Sequence, residues 1–237
     1  MKTIRILQLY PSEMNIYGDW GNTLVLKKRL EWRGYRVELI EHHPGAQFPE
    51  NVDLIIGGGG QDSGQEKIKD DLVAIGSALH KLAEEGVPML VICGLYQLFG
   101  RFFKTSEGHT IDGIGIFKAE THAGQTRLIG NITTDSQFGK IVGYENHSGL
   151  TYLDKDQEAL GNVILGAGNN GEDSKEGAIY KNVIGSYLHG SLLPKNPQLA
   201  DHLIQKAIEK KYGKADLEKL DDTIATKARS IAMDRPR

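Results

Sequence analysis

The sequence predicts an α/β chain built on a mostly parallel open sheet with helices on both faces, with added antiparallel strands in its second half. Two observations predict it. Up to residue 100, short apolar runs alternate with longer amphipathic stretches, the pattern of strands joined by crossover helices. After residue 100, short β-like segments recur with turn residues between them, as antiparallel strands do.

Taken in order, residues 3–10 form the first strand, with Ile4, Ile6, Leu7 and Leu9 apolar. A turn-rich loop over 11–22 leads to a helix at about 22–33, which Gly34 ends. Strands follow at 36–40 and 52–56, and the second runs into Gly57-Gly58-Gly59-Gly60-Gln61-Asp62. Four glycines there expose backbone N–H groups able to approach a ligand or hold an oxyanion. A dinucleotide or P-loop reading fails, because neither G-x-G-x-x-G nor a following Gly-Lys-Ser/Thr is present. A helix is expected at about 67–85, ended by Gly86, and then a buried strand over 87–92.

At the end of that strand stands Cys93, followed by Gly94 and the helix-like Tyr96-Gln97-Leu98-Phe99. A strand-to-helix elbow aims a side chain out of the sheet, and the N-terminus of the next helix favours a thiolate. Ligands in such folds sit at the carboxyl ends of strands. The tetraglycine loop and Cys93 both lie there. The later segments are expected at 110–117, 126–133, 137–143, 163–166 and 178–187, with 143–149 interrupting them as a polar loop. A helix should cover about 197–212 and a charged one about 217–232.

The chain has 237 residues, 39% hydrophobic and 25% charged, with a net charge of −3, so no basic field invites nucleic acid. One domain over 1–237, with a C-terminal helical tail from about 214, fits this length. A single cysteine excludes an intrachain disulfide and fits a reducing compartment. No run approaches the ~18 apolar residues of a membrane span and no signal peptide is read, so a cytoplasmic enzyme is expected. Eight histidines are candidate bases; His147 and His189 are the two at motif-like positions after strands.

Four blocks carry a family resemblance: Gly57 to Asp62; Val91-Ile92-Cys93-Gly94-Leu95-Tyr96-Gln97-Leu98-Phe99-Gly100; Gly143-Tyr144-Glu145-Asn146-His147-Ser148-Gly149; and Gly185-Ser186-Tyr187-Leu188-His189-Gly190. In order and spacing they resemble class I glutamine amidotransferases, of flavodoxin-like fold, and more narrowly the cobyric-acid-synthase-like group. Loop 15–22 and the 144–149 block resemble the stand-alone glutaminase subunits of lipid II isoglutaminyl synthase. The resemblance implies Cys93 as nucleophile and His189 as its base, with Gly59, Gly60 and Gly94 as the oxyanion hole. It also implies Gln97 on the substrate amide and Arg127 on the α-carboxylate of L-glutamine. It further implies a Mur-ligase-like synthetase partner of the MurT type, which would carry ATP and Mg and use the ammonia on a lipid-linked acceptor. No cofactor or metal is expected in this chain.

Three departures from the family pattern stand out. Ser191 occupies the position where most members carry the glutamate that orients the histidine. Asp19, Glu145 or an acid from a partner chain would then supply it, and the partner is favoured, because completing the triad in a complex would prevent wasteful hydrolysis. Val91 and Leu95 replace the usual elbow glycines, which implies a relaxed turn or a subgroup-specific pocket at Leu95. No ATP-binding module is recognised. Thiol proteases and redox chaperones of the same broad fold carry histidine after the elbow cysteine, where this chain has Gly94, and Gly-x-Ser-x-Gly is absent. A supplier of ammonia for cobyrinate-type amidation and a degenerate scaffold are the competing readings.

Overall fold

The structure, a computed structural model, describes residues 1–235. The first half builds a parallel sheet from β1 (Thr3–Leu9), α1 (Trp20–Glu31), β2 (Arg36–His42), β3 (Leu54–Gly57), α2 (Asp62–Glu84), β4 (Met89–Ile92) and α3 (Gly94–Phe99). The second half adds β5 (Phe102–Lys104), β6 (Thr110–Asp112), β7 (Ala119–Ser136), β8 (Gly139–Leu153), β9 (Gly161–Leu165) and β10 (Lys175–Glu176). It continues with β11 (Ala178–Tyr180), β12 (Val183–Ser186), β13 (Leu188–His189), α4 (Pro197–Tyr212) and α5 (Thr223–Met233).

One sheet runs β11-β12-β4-β3-β1-β2, parallel throughout except for β11. Its order grows outward from β1 in both directions, so right-handed crossovers send α1 and α2 to opposite faces. β3 and β4 are fully buried, which explains their unbroken apolar sequence. The second sheet centres on β7, which pairs with β8 along one edge and with β5 and β9 along the other. β12 continues through Tyr187 into β13, which pairs with β8. The chain thus passes from the first sheet to the second along this short segment, which ends in His189.

Several boundaries differ from expectation for physical reasons. α2 begins at Asp62, ahead of the expected start near residue 67. Its first turn packs against the 11–14 loop, and Gly64 permits this, since a Cβ there would stand 2.8 Å from the Glu13 carbonyl. The 143–149 block is not a loop but the middle of β8, a 15-residue strand in a long ribbon with β7. Its glycines serve close approach rather than turning: a Cβ on Gly143 would meet Leu188 at 2.6 Å. The 178–187 segment is two antiparallel strands, turned at Lys181 with φ +53°.

After α4 the chain returns over α1. Arg29, buried in α1, makes paired hydrogen bonds to Asp201 of α4 and to Asp222. Arg33 reaches Asp201 as well, and donates to the Glu218 carbonyl. The final helix is α5, starting at Thr223 rather than near residue 217; Leu217 instead lies against the core. Residues 236–237 of the expected tail lie outside the described residues.

Candidate active site

Cys93 caps α3 at the end of β4, with φ +50° and ψ −106°. A non-glycine residue held there costs on the order of 1–3 kcal/mol and persists only where its surroundings enforce it. The Cys93 N–H donates to the Ser186 carbonyl at 2.8 Å, and the Cys93 carbonyl accepts from Gln97 N–H at 2.9 Å. The elbow is therefore strained, not relaxed, although Val91 and Leu95 stand where small residues are usual. Gly57 makes the room for Leu95, since a Cβ on Gly57 would fall 2.3 Å from Leu95 Cδ1.

His189 reaches the same point from the other sheet. Its Nδ1 lies 3.4 Å from Asp19 Oδ2, and both side chains are buried. Burial opposes a charge on His189, but the adjacent Cys93 sulfur and the Asp19 carboxylate overcome this and lift its pKa to about 10. Neither ring nitrogen makes an aligned hydrogen bond among the described residues, and Asp19 Oδ1 is also buried without one. Such contacts commonly tighten only when substrate is bound. Tyr17 packs over the imidazole, ring centroids 4.5 Å apart.

Asp19 is delivered by the 11–19 loop, which several contacts pin to the site. Ile16 N–H donates to the Gly59 carbonyl at 3.1 Å, and Asn15 Oδ1 accepts from Trp20 N–H at 2.8 Å. Ser191, at the position where the family pattern has glutamate, donates through Oγ to the Gly18 carbonyl at 2.9 Å. The serine thus holds the loop that brings in the acid. Glu145 accepts the Ala167 and Gly168 N–H groups with its carboxylate, organising the 167–168 turn.

The tetraglycine loop lies between Cys93 and His189. A Cβ on Gly59 would stand 2.7 Å from His189 Cε1 and 3.0 Å from Cys93 Cβ, so only glycine fits. The Gly59 N–H donates to Asp19 Oδ2 at 2.8 Å. It is therefore spoken for, and of the three expected oxyanion donors Gly60 and Gly94 remain. Their backbones adjoin, with Gly60 N 3.2 Å from where a Gly94 Cβ would stand.

A cavity of about 350 Å³ opens beside Cys93, lined also by Tyr17, Gln97, Arg127, Asn146 and His147. That volume suits a small molecule such as an amino acid. Arg127 lies in the irregular 123–128 stretch of β7 and donates to Asn146 Oδ1 at 3.2 Å. His147 stacks on Tyr187 with centroids 3.6 Å apart, and its Nδ1 pairs with the Gly149 carbonyl at 2.7 Å. Burial, above all, drops the His147 pKa to about 4, so the ring is neutral near pH 7 and Nδ1 donates that bond. Beneath Cys93, Glu176 Oε1 accepts from Ser186 Oγ at 2.6 Å and Tyr187 N–H at 2.9 Å. Complete burial raises the Glu176 pKa to about 7. A larger groove of about 640 Å³ between residues 48–53 and α4 contains no nucleophile or histidine.

The sequence reading named Cys93, His189, Gln97, Arg127, Asp19, Glu145 and the glycines. The structure places Cys93, Gln97, Arg127 and Gly60 on the cavity lining, sets His189, Asp19 and Gly59 together in the buried layer behind Cys93, and puts Gly94 against Gly60, while Glu145 serves the 167–168 turn instead. It adds Tyr17, Tyr187 and Gln65, which the sequence reading passed over. Gln65 carried a legible signal, a polar residue on the buried stripe Ile68, Leu72, Ile75 and Leu79 of α2.

The model of the CobB/CobQ-like glutamine amidotransferase domain matches residues 5–197. The chain belongs to this family. As a member it is a glutamine amidotransferase, a class that uses a cysteine nucleophile, and Cys93 is its one cysteine. It is 38% identical to the lipid II isoglutaminyl synthase (glutamine-hydrolyzing) subunit GatD of Staphylococcus aureus, over 99% of this chain and 97% of that protein. Identity to the subunit of the same name from Streptococcus pneumoniae is 40%, over 89% and 82%. A probable cobyric acid synthase of Methanothermobacter thermautotrophicus is 30% identical over 78% of this chain, but only 39% of that protein is covered. Among solved structures, a chain of PurLQS from Thermotoga maritima superposes with TM-score 0.60 at 17% identity, covering 88% of this amidotransferase and 99% of that chain. That likeness is one of fold.

Proposed function

We propose that this amidotransferase is the glutaminase subunit of a two-protein ligase. It hydrolyses L-glutamine and passes ammonia to a Mur-ligase-like synthetase, which amidates the D-glutamate α-carboxyl of the lipid II stem peptide to D-isoglutamine. The observation that carries the reading is strained Cys93 standing between a buried His189–Asp19 pair and a cavity of about 350 Å³. The near full-length similarity to two GatD subunits supports the acceptor.

In this reading His189 takes the Cys93 thiol proton, and the thiolate Sγ attacks the side-chain amide carbon of glutamine. The C=O electron pair moves to oxygen, which the Gly60 and Gly94 N–H groups stabilise. His189 gives its proton to the leaving nitrogen, the C–N bond breaks, and ammonia departs from a γ-glutamyl thioester. Water then attacks the thioester, giving its proton back to His189, and glutamate is released. Asp19 holds the imidazolium and its orientation, so the third member comes from this chain. Arg127 meets the α-carboxylate, where a guanidinium fork matches the two oxygens. ATP and Mg act on the partner. Among the described residues no helix is long and apolar enough to cross a membrane, and we place the reaction in the cytoplasm.

The GatD reading is preferred to the cobyrinate alternative because identity is 38% and 40% to the two GatD subunits against 30% to the cobyric acid synthase. A dead scaffold is disfavoured because strain at Cys93 and a buried acid–histidine pair would be retained for nothing. Glutamate release from L-glutamine, by the chain alone and with a co-expressed Mur-ligase-like partner, tests the reading. Release that depends on Cys93 supports it; no release in either state overturns it. Arg127→Ala should raise KM for glutamine about tenfold or more with kcat little changed, and an unchanged KM removes Arg127 from the site.

A further inference from the structure

Gln65 sits in the first turns of α2, 1% exposed, and no step above uses it. Its Nε2 donates twice, to the Gly94 carbonyl at 3.0 Å and to Gln97 Oε1 at 2.8 Å. A backbone carbonyl only accepts, so the Gln65 amide has a single orientation, nitrogen toward Gly94. That choice propagates. Because Gln65 offers a hydrogen to Gln97, the Gln97 oxygen must face Gln65 and its nitrogen must face away. The Gln97 Nε2 then donates to the Tyr187 hydroxyl at 3.0 Å. The Tyr187 hydroxyl in turn pairs with Thr151 Oγ1 at 2.7 Å, and Thr151 Oγ1 pairs with Thr121 Oγ1 at 2.8 Å. Every side chain in this line is buried.

An amide nitrogen has two hydrogens. One from Gln97 goes to Tyr187, and Gln97 lines the cavity beside Cys93 and Arg127. The second is the one available to a bound molecule. A Cβ on Gly149 would lie 2.3 Å from the same Nε2, so only glycine at that point of β8 leaves room for the Gln97 amide in this orientation.

We propose that Gln65 is a positioning residue: it reads the Gly94 carbonyl and locks the Gln97 amide so that the cavity offers an N–H donor, beside the Arg127 guanidinium, to an oxygen acceptor of the glutamine substrate. The inference rests on the glutaminase reading of the Cys93 cavity. It explains why a polar residue occupies the apolar stripe of α2. It also makes the cavity donor-rich, which favours a ligand presenting carboxylate or carbonyl oxygen and disfavours one presenting an ammonium there.

The test is a double-mutant cycle on glutamine hydrolysis by the full chain, with its partner present. Gln65→Glu keeps the shape but replaces the donor with an acceptor, so Gln97 must turn its nitrogen toward residue 65 and its oxygen toward the cavity. KM for glutamine should rise about tenfold or more while kcat changes by less than about threefold. Alkylation of Cys93 by iodoacetamide, which does not use the glutamine contacts, should keep its rate. In a Gln97→Leu background, which itself raises KM, Gln65→Glu should have no further effect. Gln65→Met carries the same cycle if the glutamate variant does not fold. An equal KM increase in both backgrounds, or none in the parent, overturns the role of Gln65 while leaving Gln97 as a substrate contact. An unchanged KM in Gln97→Leu alone overturns the reading of Gln97 as well.

Discussion

Replacing Asp19 by asparagine isolates what the buried carboxylate contributes. The oxygen of the substituted amide can still accept the Gly59 N–H, so the tetraglycine loop keeps its anchor. The charge beside His189 is lost, at a position where Oδ2 stands 3.4 Å from Nδ1 in the parent. The His189 pKa stands at about 10 against an ordinary 6.5, raised first by Cys93 and next by Asp19, with burial opposing. Loss of a hydrogen bond to a charged group costs about 1.5–3 kcal/mol, or about 10–100-fold in rate if the imidazolium is needed in the transition state. The assay is steady-state glutamate release across pH. Asp19→Asn should lower kcat by that factor, shift the alkaline limb of the profile to lower pH, and leave KM nearly unchanged. A variant with more than half of the parent kcat and the same alkaline limb would refute the assignment of Asp19.

Gly59→Ala should cut kcat more than about tenfold, because its Cβ would press on His189 and Cys93 together; full activity would mean the loop is placed otherwise. Glu176 has its pKa raised to about 7, so its contribution to stability is fully present below the unfolded value near 4.5 and lost as pH rises through 7. Glu176→Gln should therefore flatten the fall in Tm between pH 5 and 8, and an unchanged slope would contradict it. Arg29→Ala leaves Asp222 unpaired with Arg29 and Asp201 with Arg33 alone, and should cost about 1–3 kcal/mol, lowering Tm by roughly 2–12 °C with little change in KM. A Tm loss under about 2 °C would show that the C-terminal return is not held by this cluster.

What was legible in the sequence follows how local the physics is. Cys93 and the tetraglycine loop are strand ends, and their meaning lies in a few consecutive residues. His189 was readable because it directly follows a strand. β8 was misread because its inward residues Glu145, His147, Gly149 and Thr151 are polar or small, so the alternation that marks a strand does not appear as hydrophobicity. Those residues face a buried hydrogen-bonded interior, and only the three-dimensional partner set identifies them as inward. Asp19 was one of three options, and nothing near it in sequence distinguishes it from Glu145. Its loop is fixed beside His189 by distant partners: Asp19 meets Gly59 across 40 positions of chain, and Gly18 meets Ser191 across 173. Gln65 was missed because the expected helix began after it.

The most direct test of the glutaminase assignment is amidation by the chain and its synthetase partner, with Cys93→Ala in place of the parent and with either L-glutamine or an ammonium salt as nitrogen source. The account predicts that glutamine-driven amidation is abolished and ammonium-driven amidation persists at the parent rate. Retention of glutamine-driven amidation without the thiol would contradict it.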